Sequence, residues 1–166
     1  MEFAAALRRV RDTAPLVQCI TNFVTVNDCA NIILAAGGSP SMADDIREAA
    51  ESAAGADALV CNLGAIGKVD SMISAGQSAN RAGHPVVLDP VAAGGTALRR
   101  QESTRLLEHV HFAAIRGNAS EIRALALGVG MCFTMVWGRM VSGIVIGLAG
   151  IVVLLCLIPL TKGIRE

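Results

Sequence analysis

The sequence predicts an α/β fold built on a mostly parallel sheet with helices packed on its faces. Short apolar runs alternate with helix-patterned segments across residues 3–127, the pattern of repeated strand–helix units. Gly or Pro punctuates the junctions at Pro15, Gly37-Gly38, Gly64, Gly83 and Asp89-Pro90. Polar residues able to carry chemistry follow the apolar runs directly. In a parallel sheet the ends of those runs share one edge, beside the crevice that binds ligands.

Each element has its own reason. Phe3, Leu7 and Val10 share one helical face, Arg8, Arg9 and Arg11 fall elsewhere, and Pro15 stops the helix. Residues 16–20 form an apolar strand. Residues 22–36 read as a loop and then a helix closed by Gly37-Gly38. Residues 41–43 are short and extended after Pro40, and 45–54, rich in Ala and Glu, are helical. Residues 58–63 form a strand that ends at Gly64, 69–82 a helix closed by Gly83, and 85–88 a strand that ends at Asp89-Pro90. A helix over 104–109, a strand over 112–115 and a helix over 121–127 complete the series.

Composition narrows the function classes. The chain has 166 residues, with 14 basic and 14 acidic side chains. That balance leaves no global field for nucleic acid. Tyr is absent and aromatics are 3% of residues, which removes base-stacking platforms. Cys19, Cys29, Cys61, Cys132 and Cys156 are dispersed and odd in number, as for reduced thiols in a reducing, cytoplasmic compartment. No secretory signal is visible at the N-terminus.

Hydrophobicity changes abruptly after Gly130. Residues 140–160 carry no charge, and Ser142 is their only clearly polar side chain. Such a stretch is long enough to span a bilayer as a helix. Arg139 flanks one end and Lys162 and Arg165 the other, too evenly to set an orientation.

The loop 115–121 is the chemically richest stretch. Arg116, Gly117, Asn118 and Glu121 follow a strand and open a helix. Asn118 and Glu121 are three apart, so they either complete a reciprocal capping pattern or face one ligand together. Asn22, Met42, Gly64, Asp89 and Arg116 each follow a strand and converge on one edge. Asp89 and Glu121 can share one Mg²⁺, directly or through its waters, and the planar fork of Arg116 suits phosphate. Taken singly, Asn22 is also a helix cap, Met42 core filler and Asp89 a turn former. The segment 64–69 lacks the glycine spacing of a P-loop, and 128–130 lacks the third glycine of a dinucleotide fingerprint. His109 and His111 have no neighbouring ligands in sequence.

Four blocks, PLVQCITN at 15–22, SPSMA at 39–43, LDPV at 88–91 and AIRGNASEI at 114–122, resemble the hydroxyethylthiazole kinase family of the thiamine pathway. They occur in the family's order, with family-like spacing. The resemblance implies a ribokinase-like fold and transfer of the ATP γ-phosphate to the hydroxyl of 4-methyl-5-(2-hydroxyethyl)thiazole. It implies a homotrimer with sites between subunits. It places Met42 against the thiazole and Asn22 in a block lining that pocket. It places Arg116 and Asn118 on the ATP side, and Asp89 and Glu121 near Mg²⁺ and phosphate. Ala92 stands where the family frequently has Gly, although Gly94 and Gly95 remain to form the turn.

Beyond residue 127 the resemblance stops. The family continues for a further domain-sized half, which supplies an ATP-binding threonine and a glycine-rich loop with the catalytic cysteine. Residues 128–166 do not resemble it, and neither Cys132 nor Cys156 sits in a glycine-rich loop. No catalytic residue is therefore assigned. The expected organisation is a partial kinase domain over 1–127, followed by an unrelated hydrophobic tail with a long apolar, transmembrane-like helix at 140–160. A truncated or frame-shifted reading is the leading account of that tail, ahead of a membrane anchor and of a helix buried on the half-fold. Two function classes follow: a thiazole kinase by descent with incomplete chemistry, or a non-catalytic, membrane-associated binding protein.

Overall fold

A computed structural model describes residues 3–128. Five strands form one sheet in the order β2-β1-β3-β4-β5, with every neighbouring pair parallel. The strands are β1 (Leu16–Ile20), β2 (Ser39–Ser41), β3 (Ala58–Asn62), β4 (Val86–Asp89) and β5 (Ala114–Ile115). The helices are α1 (Phe3–Thr13), α2 (Val26–Ala36), α3 (Ala49–Gly55), α4 (Val69–Ala82), α5 (Ala97–His109) and α6 (Ala119–Gly128), and a 3-10 turn (Ile66–Lys68) leads into α4.

The chain steps from β1 outward to β2, then crosses back over β1 to reach β3, β4 and β5. With right-handed crossovers, that reversal puts the first crossover helix on one face of the sheet and the later ones on the other. The core divides accordingly. Val10 of α1 and Ile33 and Ala36 of α2 pack with Val17, Cys19, Val60 and Val87 on one face. Ala49 and Ala53 of α3, Met72, Ala75 and Ala79 of α4, and Leu106 of α5 pack with Ile20, Leu59, Cys61 and Leu88 on the other. The central strands contribute to both, as expected of strands covered on both sides. Each large apolar side chain buried in this way contributes roughly 1.5–3 kcal/mol.

Several expected boundaries move. The short strand after Gly38 is Ser39–Ser41 rather than 41–43. Pro40 does not exclude it, because β2 is an edge strand paired only with β1. Met42 therefore follows the strand. The helix expected from Asp45 begins at Ala49. Asp45 instead organises a separate turn, its Oδ1 accepting from Arg47 N–H at 2.9 Å and its carbonyl from Ala49 N–H at 2.9 Å. Helix α5 starts at Ala97, seven residues before the expected 104. Strand β5 is reduced to Ala114–Ile115, and Asp89 belongs to β4.

Among the described residues no helix is long and apolar enough to cross a membrane. The long apolar helix expected at 140–160, and the tail from residue 129 onward, lie outside the described residues.

Candidate functional site

The C-terminal ends of β1, β3, β4 and β5 carry the site. Asp89 closes β4 and is paired in register with Asn62, which closes β3. Arg116 follows Ile115, the register partner of Leu88, and its N–H donates to the Leu88 carbonyl at 2.9 Å. This register brings Arg116 and Asp89 level. Arg116 Nη1 donates to Asp89 Oδ2 at 3.0 Å, and Asn62 Nδ2 donates to the same oxygen at 3.1 Å. Both members of the ion pair are mostly buried, with side-chain exposures of 29% for Arg116 and 18% for Asp89.

Burial pushes the Asp89 carboxyl above its ordinary value, and the negative charge of Glu121 adds to that. The Arg116 guanidinium opposes both, through its charge and its hydrogen bond, without cancelling them. Among the described residues no group donates to Asp89 Oδ1.

Asn118 and Glu121 form the reciprocal cap that their spacing allows. Asn118 Oδ1 accepts from Glu121 N–H at 3.0 Å and from Ser120 N–H at 2.9 Å. Glu121 Oε2 accepts from Asn118 N–H at 2.8 Å, closing a capping box at the start of α6. The other carboxylate oxygen, Oε1, accepts from Ala92 N–H at 3.0 Å. Glu121 thus joins the start of α6 to the loop after β4. Gly117 permits this approach, since a Cβ there would lie 3.1 Å from Glu121 Oε2. Ala92 itself is left-handed, with φ of 54°. An open cleft of about 460 Å³ is lined by Ala92, Gly94, Gly95, Asn118, Ser120 and Glu121, within the range of small-molecule sites. The N-terminus of α6 faces it; the N–H groups of Ser120 and Glu121 are taken up by Asn118 Oδ1, which leaves the helix dipole to favour an anion.

Asn22 lies across the strand-order reversal from these groups. Its Oδ1 accepts from Val24 N–H at 3.0 Å and Thr25 N–H at 3.2 Å, shaping the turn before α2. Asn22 also meets the loop after β3. A Cβ at Gly64 would lie 2.7 Å from Asn22 Nδ2 and 2.6 Å from Asn62 Oδ1, so any larger residue must displace these two amides. Met42 is placed differently. It lies beyond β2 and packs against the Val17, Cys19 and Ile33 cluster. Gln18 Nε2 holds the segment that carries it by donating to the Ala43 carbonyl at 2.7 Å. The structure therefore forms two bonded pairs, Asp89–Arg116 and Asn118–Glu121, close enough for Glu121 to raise the Asp89 carboxyl, and sets Asn22 beside them. It leaves Met42 at the far edge of the sheet.

Two residues of this region escape a reading by motif. Asn62 was legible only as the polar end of an apolar run. Arg99 donates from Nη1 to the carbonyls of Leu63 and Val91, both at 2.9 Å. It sits in a charge-rich helix where no pattern distinguishes it.

For a metal, the donor set is two carboxylates. Among the described residues no group of three or more His, Cys, Asp or Glu could hold an ion. Two carboxylates with phosphate and water suit Mg²⁺, which is seldom held by an all-protein cage. The unengaged Asp89 Oδ1 fits such an ion, and Glu121, with both oxygens engaged, fits an outer position.

The family model for the hydroxyethylthiazole kinase family matches residues 7–132. The chain belongs to this family. A hydroxyethylthiazole kinase of Desulfovibrio desulfuricans is 58% identical over 126 residues, covering 75% of this chain and 44% of that protein. One from Clostridium acetobutylicum is 54% identical over 127 residues, covering 75% and 46%. The solved structure of the hydroxyethylthiazole kinase protein from Pyrococcus horikoshii OT3 superposes with a TM-score of 0.70 at 45% identity, over 74% of this chain and 49% of that one. The five-stranded parallel sheet with flanking helices is thus the ribokinase-like kinase fold expected from the resemblance. The chain spans about half the length of the curated relatives it matches. All four sequence blocks of the hydroxyethylthiazole kinase resemblance lie inside the matched region.

Proposed function

We propose that this chain carries the nucleotide- and metal-facing part of a kinase that transfers the ATP γ-phosphate to the hydroxyl of 4-methyl-5-(2-hydroxyethyl)thiazole. The observation that carries this reading is the Arg116–Asp89 pair at the ends of β4 and β5, beside the α6 cap. In it, Arg116 meets the phosphates with a planar donor fork, and the dipole at the start of α6, which Asn118 caps, favours the same anion. Asp89, with its unengaged Oδ1, and Glu121 would hold Mg²⁺. When bound, the ion neutralises phosphate charge, the main catalytic demand of phosphoryl transfer. Asn22 orients the thiazole alcohol across the crevice. Met42 contacts the ring only in an assembly that brings the β2 edge to a site, which is the proposed role of the family's trimer. No described residue is assigned as the base for the alcohol.

Titration of the chain with a fluorescent ATP analogue and Mg²⁺ tests the reading. Binding should saturate, and Arg116→Met should weaken it about 10- to 100-fold, as for loss of a charge-assisted hydrogen bond worth roughly 1.5–3 kcal/mol. Equal affinity in the variant would refute the assignment.

A further inference from the structure

The Val91–Ala92 peptide is gripped at both ends. Its carbonyl accepts from Arg99 Nη1 at 2.9 Å, and its N–H donates to Glu121 Oε1 at 3.0 Å. The same Arg99 nitrogen donates to the Leu63 carbonyl at 2.9 Å, while Leu63 N–H donates to the Asp89 carbonyl at 2.9 Å. One guanidinium therefore ties the loop after β3 to the loop after β4, on either side of Asp89. Its own backbone is fixed in the first turn of α5, where Arg99 N–H donates to Thr96 Oγ1 at 3.2 Å.

Arg99 is half-buried, and among the described residues no carboxylate lies within ion-pair distance of it. A cation bonded to carbonyls rather than to an acid commits its directional donors to backbone geometry. The residue after the gripped peptide is Ala92, left-handed at φ 54°, a conformation that a side chain with a Cβ disfavours. Such a conformation persists where surrounding contacts over-determine it. Arg99 and Glu121 supply two of those contacts from opposite ends of one peptide.

We propose that Arg99 is a positioning residue of the nucleotide half-site: by fixing the Val91–Ala92 peptide, it fixes the carboxylate of Glu121. The guanidinium acts through one peptide unit and touches neither nucleotide nor metal. This inference rests on the proposed nucleotide reading of Asp89, Arg116 and Glu121.

The test uses the full chain and the variants Arg99→Met, Arg99→Lys, Arg99→Gln, Glu121→Ala and the Met/Ala double variant. The first measurement is amide hydrogen exchange without nucleotide. Arg99→Met should speed exchange at Ala92 about 10-fold or more, the effect of losing a charge-assisted bond. Amides of β3 should exchange as in the parent, and Arg99→Lys should restore part of the Ala92 protection. Unchanged exchange at Ala92 overturns the inference. Arg99→Gln repeats the measurement if the Met variant does not fold.

The second measurement is binding of Mg²⁺ with a fluorescent ATP analogue. Arg99→Met and Glu121→Ala should each weaken it about 10-fold, and the double variant should be little weaker than the worse single one, as for residues acting through a shared contact. Fully additive losses overturn the positioning role. If the parent chain binds no nucleotide, the nucleotide reading fails and the half-site role with it, while the grip on Ala92 is judged by the exchange data alone.

Discussion

Asp89 is held between opposing influences. Burial and Glu121 raise its proton affinity, and Arg116 lowers it, with burial the largest. The native state thus binds the proton more tightly than the unfolded chain does. Between the ordinary aspartate range and the raised native value, the folded protein takes up the proton first. Stability from this group is full below that window and is lost as pH rises through it. In metal-free buffer, the urea midpoint of the parent relative to Asp89→Asn should therefore fall from acid toward neutral pH. A difference that grows with pH would refute the assignment. Ala92 offers a second residue-scale test. A left-handed non-glycine residue costs roughly 1–2 kcal/mol, while glycine adds back about 0.4–1 kcal/mol of unfolded-state entropy. Ala92→Gly should stabilise the chain by about 0.5–1 kcal/mol in urea denaturation, and destabilisation would show that the methyl makes packing contacts that offset the strain.

At the scale of elements, two helix starts hold the cleft loops in place. Thr96 Oγ1 caps α5 by accepting from Arg99 N–H, and Asn118 caps α6. Thr96→Ala and Asn118→Ala should each cost about 1 kcal/mol, read as a lower urea midpoint. Asn118→Ala should also expose the Glu121 amide to faster exchange, and an unchanged Glu121 amide would remove the cap from the account. These starts also explain what sequence could and could not show. The box at Asn118 and Glu121 was legible because both partners lie within four residues. The start of α5 was not, because none of Ala97 to Glu102 is buried, the apolar Leu98 included. Ser103 and Leu106 are its only buried residues, so apolar periodicity enters only near its end. The early strand was misplaced for a related reason. An edge strand buries little, and its bounds come from pairing with β1, which no local pattern records.

For the whole molecule, the two-sided core makes a separate statement. Cys61 faces the α3–α5 side and Cys19 the α1–α2 side, both buried. Burial pushes both thiols up, far from the thiolate that reacts with alkylating agents. Cys29 is only half-buried. Burial raises the Cys29 thiol as well, but it is the accessible one of the three, so among the described cysteines alkylation mapped by mass spectrometry should mark Cys29 first, and Cys19 and Cys61 together only as urea unfolds the chain. Labelling of Cys19 well ahead of Cys61 would mean that the α1–α2 face opens on its own. The parallel sheet was readable because β1, β3 and β4 are compact, mostly apolar runs separated by helix-patterned segments. Strand order was not, since β1 neighbours both β2 and β3 through pairings that depend on the crossover path. Nor was the remoteness of Met42 from Asp89, which follows from that order.

Gly64 has an evolutionary consequence. Any replacement brings a Cβ within 2.7 Å of both Asn22 and Asn62. Neither amide can simply turn aside: Asn62 holds Gly64 N–H and Asp89, and Asn22 holds the turn before α2. A lineage that replaces this glycine must also move the Asn62 amide two residues before it and the Asn22 amide after β1, so the three positions are expected to change together.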